Sequence, residues 1–475
     1  MRAAIAAENA GIPSVSVVCE GFENQARATG RGHGFDGLPL AVLRGHVDAR
    51  TQADNVADLL AHTMDEIIDS LIGTTDPTMA PPSDSAEPTA LDVVVSGKIE
   101  EVNSHFIREG WSDGLPIIPP TRERVEGFII ESGHDPWKTL GIAKSSGRDL
   151  TVWSVAVNAV MAGCHHDHLP ILLAITEILA DPNYGMQHSG NTTGADALII
   201  LNGPCADELG FNSGPGALRD GTHANTTVGR WLRLYLRNVC GFTSDEHDKA
   251  TFGNSSRVVL AEDAATLADI GWDPVSADFG VDGDHDAVTM ARMNSGLIIG
   301  SVCGSTPEQI LPYLADGLVR VSGWDLTHVH GLGQGQYRPL LILTPVLARI
   351  FASAGWSKSD VRAALFEEAR LPAWKFEKLI GEWSNLTPGK PTMAGLVHEG
   401  HIPAEFAESD DPERLVPLVT TPDHFVIAVT GDPNRTNAYV MSNDGPHGHW
   451  TTKEVDRTSA DDLVCLVPDH SHPND

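Results

Sequence analysis

"MRAAIAAENAGIPSVSVVCEGF", residues 1–22, opens on an alanine-rich segment, Arg2 to Ala10, that reads as a helix. Gly11 stops it, Pro13 turns the chain, and β-branched residues from Val15 to Cys19 read as a strand. This is the second half of a strand–helix–strand unit whose first strand is expected outside it. The pattern continues with a helix over 22–30, a strand over 39–43 and a helix from Ala53 to Leu71. Strands alternating with helices predict a parallel sheet. Two strands leave faces and edges uncovered, so further strands are expected from a preceding segment, the larger domain or another chain.

Residues 1–73 therefore read as a small, incomplete doubly wound domain. "TTDPTMAPPSDSAEPTALD" (74–92), with four prolines and small polar residues, reads as an extended linker. Residues 93–475 read as a large mixed α/β domain, of one body or two lobes. Helical patterns cover 98–109, 152–161, 171–179, 226–239 and 306–314; strand-like runs cover 197–201, 257–261, 297–302, 340–344 and 425–430. The fold class is α/β, and 475 residues exceed what a single core usually serves.

With 64 acidic against 32 basic residues, the formal charge is −32. That field argues against a nucleic-acid partner, and an anionic substrate needs a locally basic pocket within it. No apolar run approaches the ~20 residues of a membrane span. The N-terminus lacks a signal-peptide pattern, because Glu8 and Asn9 interrupt its apolar segment. A cytoplasmic location is expected. Six scattered cysteines (19, 164, 205, 240, 303, 465) include no C-x-x-C pair and read as reduced thiols.

Three stretches carry a resemblance: "REGWSDGLPIIPPTRERVEGFI" (108–129), "NAVMAGC" (158–164) and "LGFNSGPGALRDGTHANTTVGRWLRLYLRNVCG" (209–241). With "ASAGWSKSDVRAALFEEARLP" (352–372) and the N-terminal piece, they resemble the UGSC-like (seleno)protein family. The resemblance implies a large domain beside a small doubly wound one. It also implies thiol or selenol redox chemistry at a selenocysteine-or-cysteine–Gly–Ser–Cys motif preceding the first helix. That motif is absent from these residues, and Cys19 is no substitute for it. A partner chain supplying the motif and the missing strand is the expected remedy.

The Gly-rich stretch 210–238 is the leading candidate site. Asn212, Ser213 and Gly214 form a polar loop, and Asn225 and Thr227 lie where a helix begins. Exposed amides at such a start bind anions. Arg230, Arg233 and Arg237, at i, i+3 and i+7, share a face able to clamp a carboxylate or phosphate. The competing reading is a cap followed by ion pairs with surplus carboxylates.

"GCHHDHLP" (163–170) offers metal ligands. His165 and His168 would meet one ion on a helical turn, whereas His166 and His168 would do so on a strand. His328 and His330, in "WDLTHVHGLGQGQ" (324–336), form a second pair, with His188 or His285 as further options. Solvated surface histidines are the competing reading. Zn, Fe, Cu and Ni are the metals such ligands suit.

Cys303 precedes a helix start at Ser305 or Thr306, where a thiol can become nucleophilic, or else it is buried and inert. Asp113 in "GWSDGLP" is catalytic or simply makes a turn; Cys303, Asp113 and His223 form the candidate catalytic set. "DGPHGHW" (444–450) reads as a loop without a role. No dinucleotide fingerprint, P-loop or nucleophile elbow is present, so NAD and FAD are not expected. The leading expectation is an enzyme, or enzyme subunit, acting on a small anionic molecule by reductase-like chemistry. Metal-dependent hydrolysis or lyase chemistry is one alternative, and a non-catalytic ligand-binding or stabilising subunit another.

Overall fold

The computed structural model describes residues 1–32, 35, 37–72, 89–130, 132–244, 247–254, 257–322, 335–378 and 392–457. The N-terminal unit runs α1 (Arg2–Asn9), β1 (Ser16–Cys19), α2 (Glu23–Gly32), β2 (Leu40–Leu43), α3 (Gln52–Asp58) and α4 (Met64–Ile72). A π-helical stretch, Leu59–Thr63, joins the last two helices. β1 and β2 pair in parallel, with Ser16 opposite Leu40 and Cys19 opposite Leu43. The outer edge of β2 is covered by side chains. Val42 N–H donates to Glu66 (2.9 Å), and Val42 C=O accepts from the Thr63 hydroxyl (3.1 Å). On β1, Ser16 and Glu20 N–H donate towards β2, so the Val17 and Cys19 amides face the opposite edge. No strand occupies that edge among the described residues.

The large unit begins with α5 (Ile99–Arg108), α6 (Arg122–Ile130), a hairpin of β3 (Thr139–Ile142) and β4 (Asp149–Thr151), then α7 (Val152–Ala162) and α8 (Leu169–Ala180). It continues through β5 (Asp196–Asn202), α9 (Cys205–Glu208), α10 (His223–Asn238), β6 (Val259–Ala261), α11 (Ala264–Ile270) and β7 (Ala287–Ile299). Next come α12 (Pro307–Val321), β8 (Leu340–Leu343), α13 (Pro345–Ser353), α14 (Lys358–Glu368), β9 (Arg370–Pro372), α15 (Ala373–Glu377) and α16 (Met393–His398). The last strands are β10 (Leu415–Pro417), β11 (Val426–Val429), β12 (Ala438–Asn443) and β13 (Thr451–Glu454).

Seven strands build one mixed sheet in the order β11-β8-β12-β7-β5-β6, with β13 continuing beside β7. β5–β6 and β8–β11 are parallel, while β7 runs antiparallel to β5, β12 and β13. Both faces are buried, which explains near-continuous apolar strands such as "DALIILN". Leu198, Ile200, Leu260, Leu340, Ile342, Val426 and Ala428 share the inner face. Their alternating neighbours pack outward against two helical layers. Ile199, Leu201 and Val259 meet α5–α8 and α10, whereas Leu341, Leu343 and Ile427 meet α11–α16.

The sheet curls until its ends meet. After β6, Asp263 N–H donates to Val429 C=O of β11 (2.9 Å), and the carboxylate of Glu262 accepts Val429 N–H (2.9 Å). Glu262 is 3% exposed and also accepts from Asn202 Nδ2 (2.6 Å) and Val275 N–H (2.7 Å). Burial outweighs the Lys358 ammonium and these donors, so its pKa stands above the usual carboxylate range.

β5, β6, β8, β11, α7, α8 and α10 fall where the sequence places them, within a few residues. Two elements run longer than expected. β7 begins at Ala287 rather than 297, its first half obscured by Arg292 and Asn294. α12 continues to Val321, past Pro312 and Gly317. Gly317 is in the helix for packing, since a Cβ there would lie 2.5 Å from Ile299 Cδ1.

Glu262→Ala leaves two buried amides and an amide side chain without their acceptor. It is expected to lower unfolding stability by roughly 3 kcal/mol or more. Denaturant titration checks this, with Glu262→Gln, which keeps one acceptor oxygen, losing less.

Candidate functional site

The Gly-rich loop leads into α10, which packs on α7 through Trp231, whose Nε1 donates to Val155 C=O (3.1 Å). Gly229 permits close approach to the chain entering β6, because a Cβ there would lie 2.3 Å from Arg257 O. Asn225, 1% exposed, fastens the loop. Its Nδ2 donates to Asn212 O (3.1 Å) and Val259 O (2.8 Å), and its Oδ1 accepts Asn212 N–H (2.8 Å). Ser213 C=O accepts from the Thr430 hydroxyl and from Gly431 N–H, both at 2.8 Å. Gly214 N–H donates to Asn212 Oδ1 (2.9 Å). Much of the loop's polarity is thus engaged within the fold.

The arginine face is engaged as well. Arg230 makes a bidentate pair with Asp113 (2.9 Å for each bond) and a further bond to Pro116 C=O (2.8 Å). Burial raises the Asp113 pKa, but the Arg230 bonds and charge outweigh it and hold the carboxyl below its usual range. Arg233 pairs with Asp196 at 2.5 Å. The structure therefore joins a candidate catalytic carboxylate, Asp113, to a candidate substrate arginine, Arg230.

α7 ends at Gly163, and a 3-10 turn, His166–His168, leads into α8. His165 and His166 both contact Asp167, at 3.0 and 3.1 Å. Ligand atoms of these three residues lie within 4.8 Å of one another. His168 turns inward instead and is 3% exposed. Its ring lies 5.5 Å from Phe211 and 6.2 Å from His223, and its Nδ1 has no hydrogen-bond partner among the described residues. Burial, then the neighbouring His223 and His165, lower its pKa to about 4. Thr227 donates to His223 C=O (2.8 Å) and also bonds the Cys164 thiol, which burial pushes up to about 12. The three-residue group is therefore His165, His166 and Asp167, with His168 facing the start of α10.

Among the other histidines, His285 pairs with Glu454 (2.7 Å), and His188 stacks on His447 with centroids 4.8 Å apart. His328 and His330 lie outside the described residues. Cys303 is an exposed free thiol between β7 and α12, while Cys205 and Cys240 are buried with raised pKa values. No hydrogen bond links Cys303 to the other candidates among the described residues.

A polar centre that the sequence did not reveal lies where β12 gives way to β13 along β7. Asp444, 2% exposed, accepts from Asn191 Nδ2 (2.8 Å) and from the His447 ring (3.0 Å), with Arg292 at 3.6 Å. Thr193 bridges Asn191 and Asn294. The His447 pair, largest among the attractions opposing burial, holds Asp444 below the ordinary carboxylate range. A carboxylate fixing one ring nitrogen leaves the other to exchange protons. The D-x-x-H spacing in "DGPHGHW" was the available signal, but it is too common to stand alone.

A cavity of about 860 Å³ lies between α5, α6, α7 and the end of α10. The chain is thus an α/β protein with a curled sheet, a buried aspartate paired with a half-buried histidine, a surface His–His–Asp group and a cavity beside α7. Residues 1–73 match the model of the UGSC family, so the small N-terminal unit is UGSC-like. No curated protein and no solved structure matches. No helix among the described residues is long and apolar enough to cross a membrane.

Between its ordinary pKa near 6.5 and its folded value near 4, His168 binds a proton in the unfolded chain but not in the native one. Its contribution to stability is full above pH 6.5 and is lost as the pH falls towards 4. His168→Leu is expected to flatten this slope, with His424, also lowered to about 4, supplying a remainder. Urea titrations across pH 4–7 measure it. Nitrogen-15 ring spectra of His447 are expected to show Nδ1 protonated in the native protein, and Asp444→Asn to weaken that preference.

Proposed function

We propose that this chain is an enzyme, or enzyme subunit, that acts on a small anionic molecule by thiol- or selenol-type redox chemistry completed by a partner chain. The supporting observation is the N-terminal unit. It is UGSC-like, and the Val17 and Cys19 amides on its β1 edge have no strand partner among the described residues, so another strand can add there. A strand there would end beside Cys19, at the carboxyl end of the parallel sheet, where α/β proteins place ligands. The large unit would hold the substrate, and the His447–Asp444 pair is the group best arranged to move a proton. Cytoplasmic residence suits the free cysteines.

A second reading is supported by the His165–His166–Asp167 group, which would hold Zn, Fe, Cu or Ni at the surface of the turn before α8. Such an ion would supply Lewis-acid activation of water for hydrolysis or lyase chemistry. Cobalt titration distinguishes the two: visible ligand-field bands lost in His166→Ala support the metal, and their absence removes it.

The partner reading is tested by isolating the chain alone and in the assembly it forms in its cell, with dithiothreitol as electron donor and small carboxylates as acceptors. Reduction is expected only in the assembly, together with slowed exchange of the Val17 and Cys19 amides. Full activity of the isolated chain contradicts the partner. Loss of activity in Cys303→Ser would move the thiol to Cys303.

A further inference from the structure

The three stretches singled out in the large domain meet at the 860 Å³ cavity. The first gives it Trp111, Pro119 and Arg122, the second Met161 and the third Asn238. The volume lies within the range of small-molecule sites, about 300–1,000 Å³. Its buried walls are apolar: Phe106, Trp153 and Met161 are buried, with Val102 and Val157 beside them. Asn158 and Asn238 also line it, but their amide nitrogens are engaged inside the fold. Asn238 Nδ2 donates to Asn158 Oδ1 (2.9 Å) and Trp111 C=O (3.0 Å), and Asn158 Nδ2 donates to Ser154 C=O (2.9 Å).

The outer wall is the extended chain that leads into α5, and every residue from Thr89 to Gly97 lines the cavity. Leu91, Val93 and Val94 are exposed there. Ala90 C=O accepts from Trp153 Nε1 (3.2 Å), but the backbone of 93–97 makes no hydrogen bond among the described residues. A wall so lightly fastened adapts to the shape of a guest.

The charged lining residues are Arg122, Arg124 and Asp92. Arg124 Nη1 donates to Pro119 C=O (3.0 Å), which sets its guanidinium beside another lining residue. Neither arginine forms an ion pair among the described residues, in a chain with 64 acidic residues against 32 basic ones. Asp92 is engaged locally, its carboxylate accepting Thr89 N–H (2.7 Å). Two guanidiniums against one carboxylate leave this rim net positive within an acidic protein, and such a rim draws an anionic group. Both arginines lie in the first turn of α6, whose dipole adds to the positive potential.

We propose that this cavity binds an amphipathic carboxylate with a flexible aliphatic chain, the chain against the apolar walls and the carboxylate at Arg122 and Arg124. The walls supply affinity in proportion to the apolar surface covered, and the arginines supply the choice of head group. The site is independent of the redox and metal readings, because its occupancy is measured without turnover.

Calorimetry on the full chain with hexanoate, octanoate and decanoate is expected to show saturable 1:1 binding. Affinity is expected to rise about fourfold for each added CH2. Octan-1-ol and octylammonium keep the chain and change the head, and are expected to bind roughly three- to fivefold more weakly than octanoate. Arg122→Gln with Arg124→Gln is expected to erase that difference while leaving the dependence on chain length. Val157→Trp, which fills the cavity, is expected to abolish binding with the circular dichroism spectrum of the parent retained. Val94→Asp, on the exposed wall, is expected to weaken binding without touching the helices. No saturable binding, affinity indifferent to chain length, or octan-1-ol or octylammonium matching octanoate would overturn the proposal. So would a head-group preference that persists in the arginine double variant, or binding that survives Val157→Trp in a folded protein.

Discussion

The large unit depends on one buried carboxylate. Glu262 stands just past β6, where the two ends of the curled sheet meet, and accepts an amide from β11, an amide from the 275 turn and the Asn202 side chain at the end of β5. A carboxylate removed from water is costly unless its lone pairs are filled; here three donors and the Lys358 ammonium offset part of that cost, and burial still leaves the Glu262 pKa raised. From that seam the arrangement propagates outward. Thr430, next along from β11, bonds Ala261 and Ser213, which fixes the Gly-rich loop. Asn225 ties the same loop to β6, and with it the start of α10. α10 then carries Arg230, Arg233 and Asn238 to their partners.

What the sequence disclosed follows from which residues report their surroundings. β5 was legible because a strand buried on both faces needs an unbroken apolar run, and α7 and α10 because their apolar faces repeat at helical spacing. β7 was half hidden. Arg292 interrupts its first half, yet this side chain is 4% exposed and pairs with Asp444, a residue 152 positions further along. Periodicity cannot foresee a buried ion pair between distant segments. Gly317 conceals a helix for a similar reason, being small to admit Ile299 rather than to end a turn.

The candidate residues were legible as types more than as an assembly. Spacing placed Arg230 and Arg233 on one face, but only the fold shows that Asp113 and Asp196 meet them there. It also separates His168, packed against Phe211 and His223, from His165 and His166, which share Asp167. The small N-terminal unit was the most legible part, since short parallel units announce themselves by alternation, and its UGSC likeness stands over residues 1–73. The proposed function draws on two parts of the chain: the β1 edge of that unit, which no strand among the described residues occupies, and polar groups gathered around the curled sheet.

Amide hydrogen exchange at Val429 tests the central claim most directly. Its N–H is bonded to no strand neighbour but to the Glu262 carboxylate, so its protection reports the seam itself. If the carboxylate closes the sheet, Val429 and Val275 exchange as slowly as Met290 in the middle of β7, through opening of the whole unit. Exchange of Val429 at the rate of exposed turns, while β7 stays protected, would mean that the sheet ends are not held together by Glu262.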